Sequence, residues 1–237
     1  VALQYGSMIA SQYKLLKCLV SGEANFGIST RVWFNPNMKS AIFIIPALIG
    51  LIMKNITILL TAFALVRERE KGTIEQLIVS PIKPTELILG KMVPYIIIGC
   101  FDFLLSLFFG TWYFNVPIMG SLGLLITLGF GFVIVALALG MLVSTIAKTQ
   151  LEAMQLVIII LLPSVILSGF MFPVEAMPIP IQAISRVIPL TYFIRILRGI
   201  ILKGVTIDYL WNEIFMLLTM GIVLLSLAII RFRKKLD

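Results

Sequence analysis

Long apolar runs, each broken off by a short charged or proline-containing stretch, dominate the chain. Five of them, at residues 42–66, 92–114, 120–146, 153–172 and 210–230, can cross about 30 Å of hydrocarbon at about 1.5 Å of rise per residue. Lipid offers no water to a bare peptide group, so each run is predicted to be helical and the fold class to be an all-α membrane protein. No fixed-period repeat or low-complexity tract is visible in the sequence.

Two connections depart from the plain alternation. Residues 66–91 read VREREKGTIEQLIVSPIKPTELILGK, charged at the start and amphipathic in the middle. Ile74, Leu77 and Ile78 fall at helical spacing, Glu70, Thr73, Glu75 and Gln76 give a polar surface, and Pro81 with Pro84 stops the pattern. A short helix along the membrane face is expected there, either a solvated connector or a docking element for a soluble partner. The fourth run contains Pro163, Ser164, Ser168 and Gly169 and ends in GFMFPVEAMPIP. Irregular backbone at that depth is tolerated only where protein or water satisfies the freed groups. Residues 182–188 and 191–202 then read as short amphipathic helices, with Arg195 and Arg198 on adjacent turns, placed to snorkel toward headgroups or to gate release.

Composition supports lipid as the solvent. Of 237 residues, 60% are hydrophobic and 13% charged, whereas a soluble domain is about a quarter charged. A soluble helical bundle could not bury this much apolar surface. The net charge of +8 does not point to nucleic acid, because the basic residues flank the apolar runs without interleaved aromatics. They read as topology signals instead. Arg67, Arg69, Lys71, Lys83, Lys91, Lys148, Arg231, Arg233, Lys234 and Lys235 alternate onto one side, predicted to be the cytoplasm. Lys14, Lys17, Arg31, Lys39, Arg186, Arg195, Arg198 and Lys203 fall on the other. Residues 1–41 are then extracytoplasmic, and an initial Val1 with no signal peptide leads to the expectation of a further span upstream, or of cleavage in maturation.

Histidine is absent, which removes histidine-activated nucleophiles, metal sites and proton relays. Cys18 and Cys100 make no disulfide framework. A membrane-embedded enzyme would need a nucleophile with its base, and Asp102 is the one acid well inside a run. Ionisable groups inside apolar spans are functional candidates by default. Lys54 lies near the midplane of the first run with Asn55, Thr57 and Thr61, and Lys54, Thr57 and Thr61 share a helical face. Asp102 is similarly central in the second run, with Gly99 and Ser106 on its side. Two readings stay open: an internal Lys54–Asp102 ion pair, or a cavity wall where Lys54 attracts anionic or carbonyl-rich substrates. In the third run, Gly123, Thr127 and Gly131, then Ala136, Gly140 and Ser144, predict close helix approach.

The connector, WFNPNMKSAIFIIPALIGLIM at 33–53 and LLPSVILSGFMFPVEAMPIPIQAISRVIPLTYFIRILRGIILKG at 161–204 together resemble the type-2 permease family of ATP-binding cassette (ABC) exporters. The likeness runs from about Arg31 to the terminal RFRKKL. It implies a homo- or heterodimer of six-span subunits, of which this chain carries five spans within a permease domain at 42–237. Residues 1–41 would be the remnant of an extracytoplasmic domain with the lead-in to the first visible span. The resemblance also implies a separate ATPase docked through the loop from Arg67 to Lys83, with Arg67, Glu68, Arg69, Glu70, Gly72, Thr73, Glu75 and Gln76 as coupling residues. ATP and magnesium would be bound by that partner, in keeping with the lack of a G-x-x-x-x-G-K loop anywhere in this sequence. No catalytic residue, metal or directly bound cofactor is expected.

The family further implies a re-entrant outer helical segment that caps a central cavity. Phe170, Phe172, Pro173, Glu175, Arg195 and Arg198 are the gate candidates, and Lys54, Asn55, Thr57, Thr61, Asp102 and Ser106 the substrate-path candidates. The nearest likeness is to bacterial and archaeal drug-efflux permeases. It implies a prokaryotic inner membrane, a drug-like substrate and, in some systems, a membrane-fusion protein as partner. Lipids, glycans, peptides and sodium remain alternative cargo, and an ion-coupled secondary transporter is the alternative mechanism, although no inverted repeat is visible.

Overall fold

The computed structural model describes residues 40–72 and 84–233. The helices are α1 (Ser40–Glu70), α2 (Pro84–Trp112), α3 (Leu122–Ile146), α4 (Gln150–Leu167), α5 (Ile179–Ser185), α6 (Pro189–Lys203) and α7 (Ile207–Arg233), with a single 3₁₀ turn at Val174–Ala176 before α5. Five of them, α1, α2, α3, α4 and α7, are long and apolar enough to cross a membrane, so the chain is a multi-pass membrane protein. The amphipathic stretch expected at Ile74, Leu77 and Ile78, with Thr73, Glu75 and Gln76, lies outside the described residues, as does the expected extracytoplasmic segment up to residue 39.

The five long helices run antiparallel between two ends of a bundle. The connector end holds Arg67–Gly72 and the α3–α4 turn; the hairpin end holds the α2–α3 loop, α5 and α6. At the centre, α3 packs against α1, α2 and α7, while α1 also meets α2, α4 and α6. Phe101, Phe108 and Trp112 on α2, and Trp211, Phe215 and Ile222 on α7, remain exposed. Exposed apolar faces on spanning helices need no protein partner, because hydrocarbon covers them.

Close approach is achieved where glycine removes a side chain. A Cβ at Gly129 of α3 would lie 2.2 Å from the Phe103 ring of α2, and one at Gly140 would lie 2.9 Å from the Ile58 carbonyl of α1. Gly140 was among the small residues expected to pack. Gly123, Thr127 and Gly131 of the same series are exposed, and no atom of another helix lies within 4 Å of where a Gly123 or Gly131 Cβ would be. Spacing alone could not tell the packed face of α3 from the bare one, since both repeat with the helical period.

Several boundaries move from their expected places. α1 continues four residues past Val66, so Arg67–Glu70 are helical, and it stops where Gly72 adopts a left-handed φ of 68°. Pro84 opens α2: proline suits a first helical turn, where its missing N–H has no partner to lose. α4 ends at Leu167 instead of 172, because Ser168 caps it and Gly169 turns the chain with φ 85°. The two short helices appear at 179–185 and 189–203, close to their expected positions.

The amphipathic α6 is not a surface helix. Leu190, Phe193, Ile196, Leu197 and Ile200 are wholly buried. Phe193 stacks on Phe132 of α3 with ring centroids 4.0 Å apart and meets Phe103 of α2 at 6.3 Å. The hairpin end is thus plugged by a helix wedged into the bundle, with its polar edge at Arg195 and Arg198.

Candidate functional site

Polar side chains gather at three levels of an otherwise apolar bundle. At mid-depth, Lys54 is 1% exposed and enclosed between α1 and α4. Its Nζ donates to Ser164 Oγ at 2.6 Å, and Ser164 Oγ donates in turn to the Ile160 carbonyl at 2.7 Å. One turn along α1, Thr61 Oγ1 donates to the Thr57 carbonyl at 2.7 Å. The Lys54–Asp102 ion pair is not made in this structure: the ammonium reaches α4, not α2. Gly99 packs against Thr57, and Gly110 against Ile49 and Ile45, a register that sets Asp102 level with Lys54 and Asn55.

Asp102 Oδ2, Asn55 Oδ1, Thr57 Oγ1 and Ser168 Oγ are all buried without a hydrogen-bond partner among the described residues. Unsatisfied buried polar atoms are costly and rare, so three of them in the spanning helices α1 and α2, with a fourth at the cap of α4, mark a region built for something beyond packing. Ser106 sits partly exposed one turn from Asp102 on α2. Of the six path candidates, Lys54, Thr57 and Thr61 face the interior of the bundle, while Asn55, Asp102 and Ser106 are partly exposed.

At the connector end, two neighbouring side chains of α1 turn toward the α3–α4 turn. Arg69 Nη1 donates to the carbonyls of Ser144 at 2.9 Å and Ala147 at 3.1 Å. Glu70 accepts from the Gln150 backbone N–H at 2.9 Å and from Gln150 Nε2 at 2.6 Å. Arg67 and Lys71 are exposed, and Glu68 and Gly72 are half-buried. Thr73, Glu75 and Gln76 lie outside the described residues. Ala147 and Gln150 went unnoticed in the sequence, and Ser144 was expected only as a small residue for helix packing. The segment Thr149-Gln-Leu-Glu152 has the capping-box sequence pattern that marks a helix start, and could have drawn attention to the turn.

At the hairpin end, Arg198 is a clasp. Nη1 donates to the Gly169 carbonyl at 2.8 Å, Nη2 to Phe170 at 3.2 Å, and Nε to Phe43 of α1 at 3.3 Å, with the guanidinium 3.6 Å from the Phe43 ring centroid. Burial lowers its pKa to about 10, opposed by the charge of Glu175, so it stays protonated at neutral pH. Arg195 pairs with Glu175 at 3.0 Å on an exposed edge. Neither arginine extends freely toward headgroups. Phe170 is half-buried, whereas Phe172 and Pro173 are exposed beside the turn. Hydrogen bonds to a charged group contribute about 1.5–3 kcal/mol each, and an exposed ion pair under about 1 kcal/mol. Arg198→Ala is therefore expected to lower stability by about 2–3 kcal/mol, and Arg195→Ala by less than about 0.5 kcal/mol. Thermal unfolding of the two variants in one detergent checks the difference.

Comparison with known proteins fits this architecture. The model of the ABC-2 family transporter protein matches residues 6–230. The chain is 34% identical over 241 residues to the probable multidrug ABC transporter permease YbhR of Escherichia coli strain K12, an alignment covering 99% of this chain and 64% of that protein. It is 35% identical over 211 residues to the probable multidrug ABC transporter permease YbhS of the same strain, covering 89% and 56%. With the inner membrane transport permease YhhJ, also of strain K12, it shares 34% over 222 residues, covering 90% and 58%. The chain thus spans less than two thirds of the length of these relatives. With a family match that runs across nearly all its residues and all five spanning helices, the chain belongs to the ABC-2 family of transporters.

Proposed function

We propose that this chain is the spanning part of a permease subunit in an ATP-driven exporter that moves hydrophobic or amphipathic, drug-like molecules out of the cytoplasm or inner leaflet. The reading rests on one observation. α1 is a single helix that carries the charged root of the connector at one end and the midplane Lys54 in its interior. A displacement applied to the connector is thereby delivered to the polar centre of the bundle without an intervening joint.

In this proposal the connector end faces the cytoplasm of a prokaryotic inner membrane. A separate ATPase subunit, which holds ATP and magnesium, docks on residues 67–83, and a second permease subunit completes the path. Closure of the ATPase pair moves α1, and α4 parts from it at mid-depth. Lys54 then leaves Ser164 and, with Asn55, Thr57, Thr61, Asp102 and Ser106, faces a cavity where substrate or water replaces the lost hydrogen bond. Phe170, Phe172, Pro173 and Glu175, held by Arg195 and Arg198, form the outer gate. Alternating access of this kind needs two discrete packings, and a buried hydrogen bond between sliding helices is a suitable element to separate them.

The test is ATP-driven accumulation of a lipophilic fluorescent dye in proteoliposomes that contain the full-length permease and its ATPase. Glu75→Lys reverses a charge at the proposed docking surface. Truncating a buried interfacial charge costs about 2–5 kcal/mol, so accumulation is expected to fall by at least about tenfold while the isolated ATPase keeps its hydrolysis. Unchanged transport in that variant, or accumulation driven by an ion gradient without ATP, would overturn the proposal.

A further inference from the structure

The last two residues of α1, Arg69 and Glu70, carry opposite charges, and each is bonded to a different helix end. Arg69 meets the terminal carbonyls of α3, where a helix exposes partial negative charge. Glu70 meets the first N–H of α4, where a helix exposes partial positive charge. Both pairings are complementary, and exchanging the two side chains would make both repulsive.

The α3–α4 turn does not need these bonds for its own closure. Thr149 Oγ1 already accepts from the Glu152 N–H at 3.2 Å, and Glu152 accepts from the Lys148 N–H at 2.7 Å. That second bond takes the Lys148 N–H, which would otherwise continue α3 by donating to Ser144. The Ser144 carbonyl is left open, and Arg69 fills it from 75 positions away in the sequence. The apolar contact beneath the turn joins small side chains, Ala62 and Val66 of α1, Val143 of α3 with Ala147 just beyond it, and Ala153 and Val157 of α4, to Ile58 and the partly buried Leu59, Phe63, Leu139, Leu156 and Ile160. Apolar contact is non-directional and by itself restrains sliding or rotation less than a directed hydrogen bond does. The polar bonds supply that restraint.

We propose that Arg69 and Glu70 are positioning residues that yoke the root of the connector to the α3–α4 turn, so that a push on the connector moves α1, α3 and α4 as one body. The inference rests on the permease reading above and adds to it a division of labour. Within the acidic-basic run, Arg69 and the exposed Glu70 bond to the α3–α4 turn and transmit, whereas Arg67 and Lys71 are left for a partner. The midplane contact between Lys54 and Ser164 then breaks by bending or tilting above the yoke, not by parting of α1 from α4 at the connector end.

Chemistry separates the variants. A single nitrogen of Arg69 serves both carbonyls, so Arg69→Lys can keep the bonds and Arg69→Met cannot. Glu70→Ala removes both acceptors of Gln150. In the full-length permease, spin labels at the exposed positions 71 and 148 report the span of the yoke, first without the ATPase. A narrow distance distribution is expected in wild type and Arg69→Lys, and a broad one in Arg69→Met and Glu70→Ala. With the ATPase added in proteoliposomes, Arg69→Met and Glu70→Ala should hydrolyse ATP within about twofold of wild type yet move about tenfold less dye per ATP, the scale of an ordinary coupling free energy. Equal label distributions in all four proteins, or full transport per ATP in both disabled variants, would overturn the yoke. A wild-type complex that moves no dye with ATP would instead sink the exporter reading, and the label distances in the permease alone would still decide the yoke.

Discussion

Replacing Lys54 by methionine is expected to stop dye transport while leaving the protein at least as stable as before. The ammonium is enclosed at mid-depth with Ser164 Oγ as its hydrogen-bond acceptor. A lysine at the centre of a spanning helix costs about 2.5–3.5 kcal/mol on insertion scales. Ser164 does not depend on it for its own donor, which goes to the Ile160 carbonyl. Methionine fills a similar volume and strands no buried hydroxyl. Exchanging buried charge for well-packed apolar groups is often neutral or stabilising by about 1–4 kcal/mol. The thermal midpoint of Lys54→Met should therefore hold or rise, while ATP-driven dye accumulation falls by at least about tenfold, since the group proposed to face the substrate cavity is lost. If the midpoint drops sharply and the residual protein transports normally, Lys54 is a strut and not part of the path.

Gly129→Val is expected to have the largest structural effect of any single change in the spanning helices. The Cβ alone would sit 2.2 Å from one Phe103 ring carbon and 2.4 Å from another. That ring cannot swing aside, because Phe130 meets its edge at 6.4 Å and Phe193 of α6 closes its other side at 6.3 Å. Overpacking costs about 1–3 kcal/mol where neighbours can relax, and here the displaced ring also disturbs the Phe193–Phe132 stack. Loss of a monodisperse peak in detergent is expected for Gly129→Val, with partial recovery on adding Phe103→Leu. Gly131→Ala is the control: its Cβ would meet nothing within 4 Å. An exposed helical glycine is about 0.8–1.0 kcal/mol less favourable than alanine, so that variant should match or exceed wild type. A Gly129→Val protein that runs and melts like wild type would show that α2 does not pack on α3 as described.

The spans could be read from the sequence because lipid imposes the same demand on every residue of a run, so hydropathy and length suffice to place them. The two short helices near the hairpin end were equally legible from their amphipathic period. What the period could not give was the partner of each face. α6 looks like a surface helix by pattern, yet its apolar side is wedged against Phe132 and Phe103, residues far away in the chain. Lys54 and Asp102 were natural candidates for each other because both lie at mid-depth on neighbouring helices. The choice of Ser164 instead depends on how α4 is rotated, which no local signal encodes. The same holds for Arg69 and Glu70, whose charges suggested an outward docking surface. The helix termini they satisfy are backbone groups, invisible to any reading of side-chain composition.

The separation of Lys54 from its acceptor has a consequence for biogenesis. The two residues are 110 positions apart, so Lys54 leaves the ribosome long before Ser164 does. At about 5–20 residues per second of synthesis, the delay is roughly 5–20 s. Throughout that interval α1 carries a bare ammonium that pure hydrocarbon disfavours, so the nascent segment should linger beside the insertion machinery or near the headgroups. It can settle to full depth only when α4 emerges. Arg198 reaches Phe43 from 155 positions downstream, and its arrival then fastens the first helix of the series to nearly the last.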